Sequence, residues 1–269
     1  MSLAALALTF CALAQEPAPS AVEVLPSPAL RSVVVIGASL STGFGLEKKL
    51  SDVLDASLAG PHPALRSEGD LLMFTRPERS GAEQIERAVE AEPTLVVALD
   101  FLFWFGYGTI GAGGAPIQRE EDRLALLERG LKLLGELDCP LVLADFPDMS
   151  AAVGRMITRE QLPAPATLAQ LSARVHEFAA GRPRTVVLPF SKLVHRMKAE
   201  QEVVIGRHTY PPKSRLLQPD ELHPTLEGLV AVGQLVCDEL VKLGLVREDE
   251  VLFDRKRVHE RTLGPAPAR

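Results

Sequence analysis

Short runs of continuous apolar residues alternate along this chain with longer stretches in which apolar positions recur every three or four residues. The short runs lie at 32–36, 71–75, 94–99, 141–144 and 185–189, and their length and β-branched content predict strands. The amphipathic stretches at 45–59, 82–91, 119–137, 166–180, 192–202 and 226–243 predict helices. Strands without a polar face belong to parallel sheets covered on both sides. The pattern therefore predicts an α/β fold: a three-layer α/β/α sandwich around a mainly parallel five-stranded sheet of flavodoxin-like type. In such a sheet the loops after the strands share one edge, and ligands bind there.

The two ends depart from this alternation. Leu3 to Ala14 is apolar, closes on the small-x-small sequence Ala12-Leu13-Ala14, and is too short to span a bilayer. No Lys or Arg precedes it. We expect 1–14 to be a signal peptide of an exported (periplasmic or secreted) protein, and 15–30 to be a proline-rich lead-in. The α/β domain is expected over 31–246, and 247–269 as a charged, mobile tail.

Composition narrows the classes further. The chain has 269 residues, 46% hydrophobic and 24% charged, which is ordinary for a globular protein with a sizeable core. Its net charge of −6 supplies no electrostatic drive toward nucleic acid or an anionic membrane. Beyond the leader only Cys139 and Cys237 remain, and both read as small buried apolar residues, although export would permit a disulfide. His62, His176, His195, His208 and His259 show no metal-ligand spacing, so neither a metal nor a cofactor is expected. Composition leaves the oligomeric state open.

Candidate chemistry gathers at two places. The first predicted strand stops at Gly37-Ala38-Ser39-Leu40-Ser41-Thr42-Gly43, which lifts the Ser39 hydroxyl above the sheet edge in a glycine-bounded turn. Near the last helix, Asp220-Glu221-Leu222-His223-Pro224 spaces a carboxylate and an imidazole three residues apart, on one side of a single helical turn. Asp220 can then fix the tautomer of His223 and leave its other ring nitrogen to take a proton from a hydroxyl.

These two stretches resemble the first and last blocks of the GDSL/SGNH hydrolases, Gly-Asp-Ser-x-Ser-x-Gly and Asp-x-x-His-Pro followed by a glycine, here Gly228. The resemblance frames the chain from Ser32 to about Leu243. It implies a serine esterase with Ser39 as nucleophile, His223 as general base and Asp220 as its orienting carboxylate. It makes Gly81 the second-block glycine whose amide, with that of Ser39, receives the oxyanion. Substrates implied by the family are small-molecule, saccharide or lipid esters.

Two positions break the pattern. Ala38 stands where the first block has aspartate. The third block, Gly-x-Asn-Asp, falls on Phe101, Phe103 and Trp104, and the chain contains no asparagine at all. A side-chain oxyanion donor of this kind contributes on the order of a hundredfold to a thousandfold in turnover. Phe101, Phe103 and Phe105 alternate, so an extended segment turns them to one side, as an apolar wall for the substrate or as packing beneath the loop. Asp145 and Asp148 lie on the same edge and are candidates to bind a polar substrate or to cap loops. Two rivals to the esterase remain open at this point: a ligand-binding protein that keeps the fold without turnover, and a flavin binder that cradles a phosphate in the Ser39 turn.

Overall fold

The computed structural model describes residues 25–264. The expected signal peptide and residues 15–24 of the lead-in lie outside the described residues, as do 265–269.

Five strands, β1 (Val33–Val35), β2 (Arg66–Ser67), β3 (Leu95–Val97), β4 (Leu141–Ala144) and β5 (Thr185–Leu188), form one wholly parallel sheet in the order β2-β1-β3-β4-β5. This is the flavodoxin-like order, with its switch point between β1 and β3. Period-two alternation assigns the strand residues to two cores. Val33, Val35, Leu95, Val97, Val142 and Ala144 face one apolar cluster, and Val34, Val96, Leu141 and Leu143 face the other.

The first layer holds α2 (Leu50–Ser57) and α8 (Leu226–Lys242), and the second holds α3 (Pro77–Glu90), α5 (Glu120–Leu134) and α6 (Pro165–Ala180). A short α1 (Ser39–Thr42) follows β1, and α4 (Phe103–Tyr107) follows β3. After β5 come α7 (Phe190–Lys198) and a hairpin of β6 (Val203–Ile205) and β7 (His208–Tyr210). No helix among the described residues is long and apolar enough to cross a membrane. Cys237 and Cys139 are free and belong to opposite cores. Burial pushes their thiols up to about 12 and about 11 respectively.

Three expectations change. The run at 71–75 is not a strand; Leu71–Phe74 is a 3-10 helix capped by Asp70, whose carboxylate accepts from the Leu72 amide at 2.8 Å. The second strand is the polar pair Arg66–Ser67, at the sheet edge. The segment from 247 onward is folded as far as Gly264. A 3-10 turn (Glu248–Glu250) leads to α9 (Arg255–Leu263), which buries Val258 and Thr262. The end of the lead-in is folded too. Its Ser27 donates through amide (2.7 Å) and hydroxyl (2.5 Å) to the Glu250 carboxylate, and Ala29 and Leu30 are buried.

Candidate active site

Ser39 opens α1 at the carboxyl end of β1. A helix leaves the amides of its first residues without intrahelical partners, and here a buried carboxylate from the next strand takes them up. Asp100, just after β3, accepts from the Leu40 amide at 2.7 Å, the Ser41 amide at 3.4 Å and the Ser41 hydroxyl at 2.6 Å. The Thr42 amide is bound by the Ala38 carbonyl at 3.0 Å, so the Ser39 amide is the donor of this turn left without a partner among the described residues. Gly37 has φ +145°, and a Cβ there would lie 2.1 Å from Asp100 Oδ1, so the glycine is what lets the carboxylate reach the turn. Burial raises the Asp100 carboxyl above its ordinary range against those hydrogen bonds.

Asp220 and His223 meet as the sequence predicts, but not on a helical turn. They sit in a loop in which Glu221 takes the left-handed conformation (φ 60°), and α8 begins only after Thr225, whose hydroxyl accepts from the Gly228 amide. The Asp220 carboxylate accepts from the amides of Leu222 and His223, each at 3.0 Å, and contacts His223 Nδ1 at 2.7 Å. Burial opposes ionisation of Asp220, but the His223 amide, the His223 ring and the Leu222 amide together outweigh it and hold the carboxyl below the usual range. With Nδ1 facing the carboxylate it carries the proton, and Nε2 is left as the acceptor. Phe44 stacks on the imidazole at 4.3 Å between centroids, and Gln218 Nε2 ties the Phe44 carbonyl (2.8 Å) to that of Pro224 (2.9 Å). Gly228 is required here: a Cβ would fall 2.0 Å from the Leu216 carbonyl oxygen.

Ser39 and His223 line the same two recesses. The smaller, about 120 Å³, runs under Leu102, Phe103, Phe146, Leu193, Met197 and Ile205. The larger, about 610 Å³, is walled by Phe44, Leu71, Leu72, Phe74, Trp104 and Met156. Neither Ser39 Oγ nor His223 Nε2 makes a hydrogen bond among the described residues.

The remaining expected residues divide. Phe103 lines the smaller recess, stacked on Tyr107 at 4.2 Å and edge-on to Trp104 at 5.0 Å. Phe101 does not reach it. The segment is helical rather than extended, so Phe101 and Phe105, four apart, turn together into the core. Gly81 is also displaced from the site. It is the fifth residue of α3, so its amide belongs to the helix ladder, and a Cβ there would touch Phe105, Leu133 and Phe101.

The glycine at the sheet edge against the Ser39–Thr42 turn is Gly69, two residues past β2. It packs on Thr42 and the Gly37 carbonyl, and the next amide, of Asp70, donates to that carbonyl at 2.9 Å. Gly69 and Asp100 are the two residues the sequence reading passed over. Gly69 was recoverable only by placing β2 correctly, and Asp100 had no signal beyond being the one carboxylate at the end of β3.

Asp145 and Asp148 are engaged by the protein. Asp145 accepts from the Ser191 amide and hydroxyl at 2.6 Å each, and Asp148 pairs with Lys198 at 2.6 Å. Tyr107 fixes the loop between them, donating to the Pro147 carbonyl at 2.5 Å and accepting from the Met149 amide at 3.1 Å. No group of three or more His, Cys, Asp or Glu among the described residues is placed to hold a metal ion.

No protein-family model and no curated protein matches the chain. Among solved structures it is similar to TesA, at 16% identity over 79% of this chain and 99% of that one, with a TM-score of 0.49. It is similar at the same TM-score to a GDSL-like lipase from Bacteroides thetaiotaomicron, at 16% identity over 81% and 91% of the two chains. A gut microbial diltiazem-metabolizing enzyme aligns at 12% identity over 81% of this chain and 48% of its own, again at 0.49.

Proposed function

We propose that the protein is a serine esterase. The observation that carries this reading is the shared setting of Ser39 and His223: both face the same recesses, with Nδ1 of the imidazole bound to the Asp220 carboxylate and Nε2 free. Ser39 Oγ attacks the ester carbonyl as His223 Nε2 takes its proton. The tetrahedral intermediate collapses, the proton passes from His223 to the departing alcohol, and water hydrolyses the acyl-serine by the same route. The Asp220 carboxylate holds the tautomer and stabilises the imidazolium.

The oxyanion falls to the amide of Ser39, with the Gly69 amide in place of the one first expected at Gly81. Phe103 stands where a side-chain amide would add a further donor. That absence favours one alternative, a protein that binds a ligand in the same recesses without turnover. A flavin binder fits less well, because Asp100 already occupies the Leu40 and Ser41 amides and sets a carboxyl where a phosphate would need donors.

A serine-reactive fluorophosphonate probe, run beside hydrolysis of p-nitrophenyl esters, tests the assignment. Wild-type protein is expected to label and to hydrolyse, and Ser39→Ala to do neither. Labelling that is absent in wild type, or equal in the variant, removes Ser39 from the mechanism. Labelling without hydrolysis selects the binding protein.

A further inference from the structure

The two recesses differ in size but share one chemistry, and that points to a substrate class. The smaller recess has only Ser39, Asp100, Asp145 and His223 as polar side chains in its lining. The two carboxyls besides the Ser39–His223 pair are already bonded, Asp100 to the Ser39 turn and Asp145 to Ser191. Apart from the reacting pair, the lining offers a sugar only these two carboxyls, both committed to protein donors, and every other side chain in it is apolar, so burying several sugar hydroxyls there is disfavoured.

The larger recess is also mainly apolar, with Thr75, Thr109, Thr158, Gln161 and the Trp104 indole as the polar groups of its lining besides the reacting pair. Its Thr75 hydroxyl donates to the Leu72 carbonyl at 2.7 Å, and Gln161 Oε1 accepts from the Thr158 amide at 2.8 Å. Its rim carries Leu71, Leu72, Phe74 and Met156 at 40–52% exposure, an apolar collar around the reaction centre. Isolated exposed apolar residues need no explanation, but a contiguous set around one opening marks a binding surface.

Building on the esterase reading, we propose that the substrate is an ester apolar on both sides of its carbonyl, and that acetylated saccharides are much poorer substrates. The acyl chain occupies the smaller recess, because the acyl group must stay through the second half of the reaction. The alcohol portion occupies the larger recess, whose exposed rim gives it a way out. A volume near the ~150 Å³ of an apolar cavity that admits benzene suits an acyl chain of about six carbons.

The test is a p-nitrophenyl ester series from acetyl to dodecanoyl on the full chain, with acetylated xylan as the saccharide arm and ethyl fluorophosphonate labelling of Ser39 in parallel. Each methylene buried contributes about a fourfold gain in kcat/KM. The hexanoyl ester is therefore expected to exceed the acetyl ester at least tenfold, with no further gain beyond octanoyl. Val194→Phe and Met197→Phe, which project into the smaller recess from α7, are each expected to lower the hexanoyl-to-acetyl ratio at least tenfold.

Absence of labelling defeats the esterase reading itself. A flat or falling series in a protein that labels, or faster release of acetate from xylan, overturns the substrate class alone. An unchanged ratio in a folded Phe variant overturns the placement of the acyl chain. If neither variant folds, the wild-type series decides.

Discussion

Asp100 is the residue whose replacement most sharply tests how the Ser39 turn is held. Truncation in Asp100→Ala strips the Leu40 amide of its partner. A part-buried donor left unsatisfied costs about 1–3 kcal/mol, and the bond it loses, to a carboxylate, was worth about 1.5–3 kcal/mol while made. Relief of the buried charge offsets part of that, giving a net loss of about 2–4 kcal/mol. Asp100→Asn is different. Its amide oxygen can still accept from Leu40, and its NH₂ can donate to Ser41 Oγ. The Ser41 hydroxyl then has the Ile36 carbonyl, 3.1 Å away, to receive its own proton. The whole chain of donors and acceptors is satisfied, so Asn is expected to cost no more than about 1 kcal/mol at neutral pH.

The pH dependence sharpens the contrast. Burial raises the folded-state pKa of Asp100 above the unfolded value of 3.8, so the folded protein binds the extra proton. The stability this group contributes is complete below 3.8 and is lost as pH rises through the raised folded pKa. Asp100→Asn carries no such loss, so it should gain on wild type as urea titrations move from pH 4 to pH 8. If Ser39 shifts by about 1 Å in Asp100→Ala, its fluorophosphonate labelling should slow by ~100-fold. Equal destabilisation by Asn and Ala, or a difference between Asn and wild type that does not move with pH, would refute the hydrogen-bond chain described above.

Other expectations follow from the same contacts. Asp220→Asn removes the anchor of the His223 tautomer and should lower kcat by ~10³- to 10⁴-fold with little effect on KM, measured on the hexanoyl ester. Gly228→Ala forces a Cβ against the Leu216 carbonyl and should cost about 1–3 kcal/mol in urea unfolding; an unchanged midpoint would contradict the close approach. Leu143→Ala, in the middle of β4 and fully buried, should cost about 2–5 kcal/mol.

Glu250 behaves oppositely to Asp100. Its burial is outweighed by the Ser27 hydroxyl and by the Arg247 and Ser27 amides, so its pKa is lowered from 4.5. Its contribution is present above 4.5 and is lost as pH falls through the lowered value. Ser27→Ala should flatten acid unfolding in that window, and identical acid limbs would count against the contact.

The central strands were legible because β1, β3 and β4 are buried on both faces and read as apolar runs; β5, a part-buried edge strand, was legible because Val186, Val187 and Leu188 are still a continuous apolar run. The second strand was not, because it is two polar residues at a sheet edge, while the nearby run of Leu71, Leu72 and Phe74 is apolar for a different reason, as the wall of an open recess. That single misplacement carried the second-block glycine from Gly69 to Gly81. In the aromatic segment the alternation of Phe101, Phe103 and Phe105 mimics a strand, yet the contacts that form pair residues four apart. The charged segment after 247 hid its buried side, Val251, Val258 and Thr262, among arginines and acids. Ser39, Asp220 and His223 were legible because each needs only local spacing to suggest its chemistry. Asp100 acts across the sheet, on a turn some sixty residues earlier, and no local pattern marks it.

The strand polarity also fixes which way the molecule faces. Ser27 and Leu30 lead into β1 at its amino end, whereas Ser39, Phe44 and the apolar collar lie beyond its carboxyl end. A tether attached ahead of residue 25, whether a purification handle, a bead or a cell-envelope component, would therefore grip the side of the sheet opposite the recesses. The collar would point outward from the attached surface, toward whatever diffuses past it.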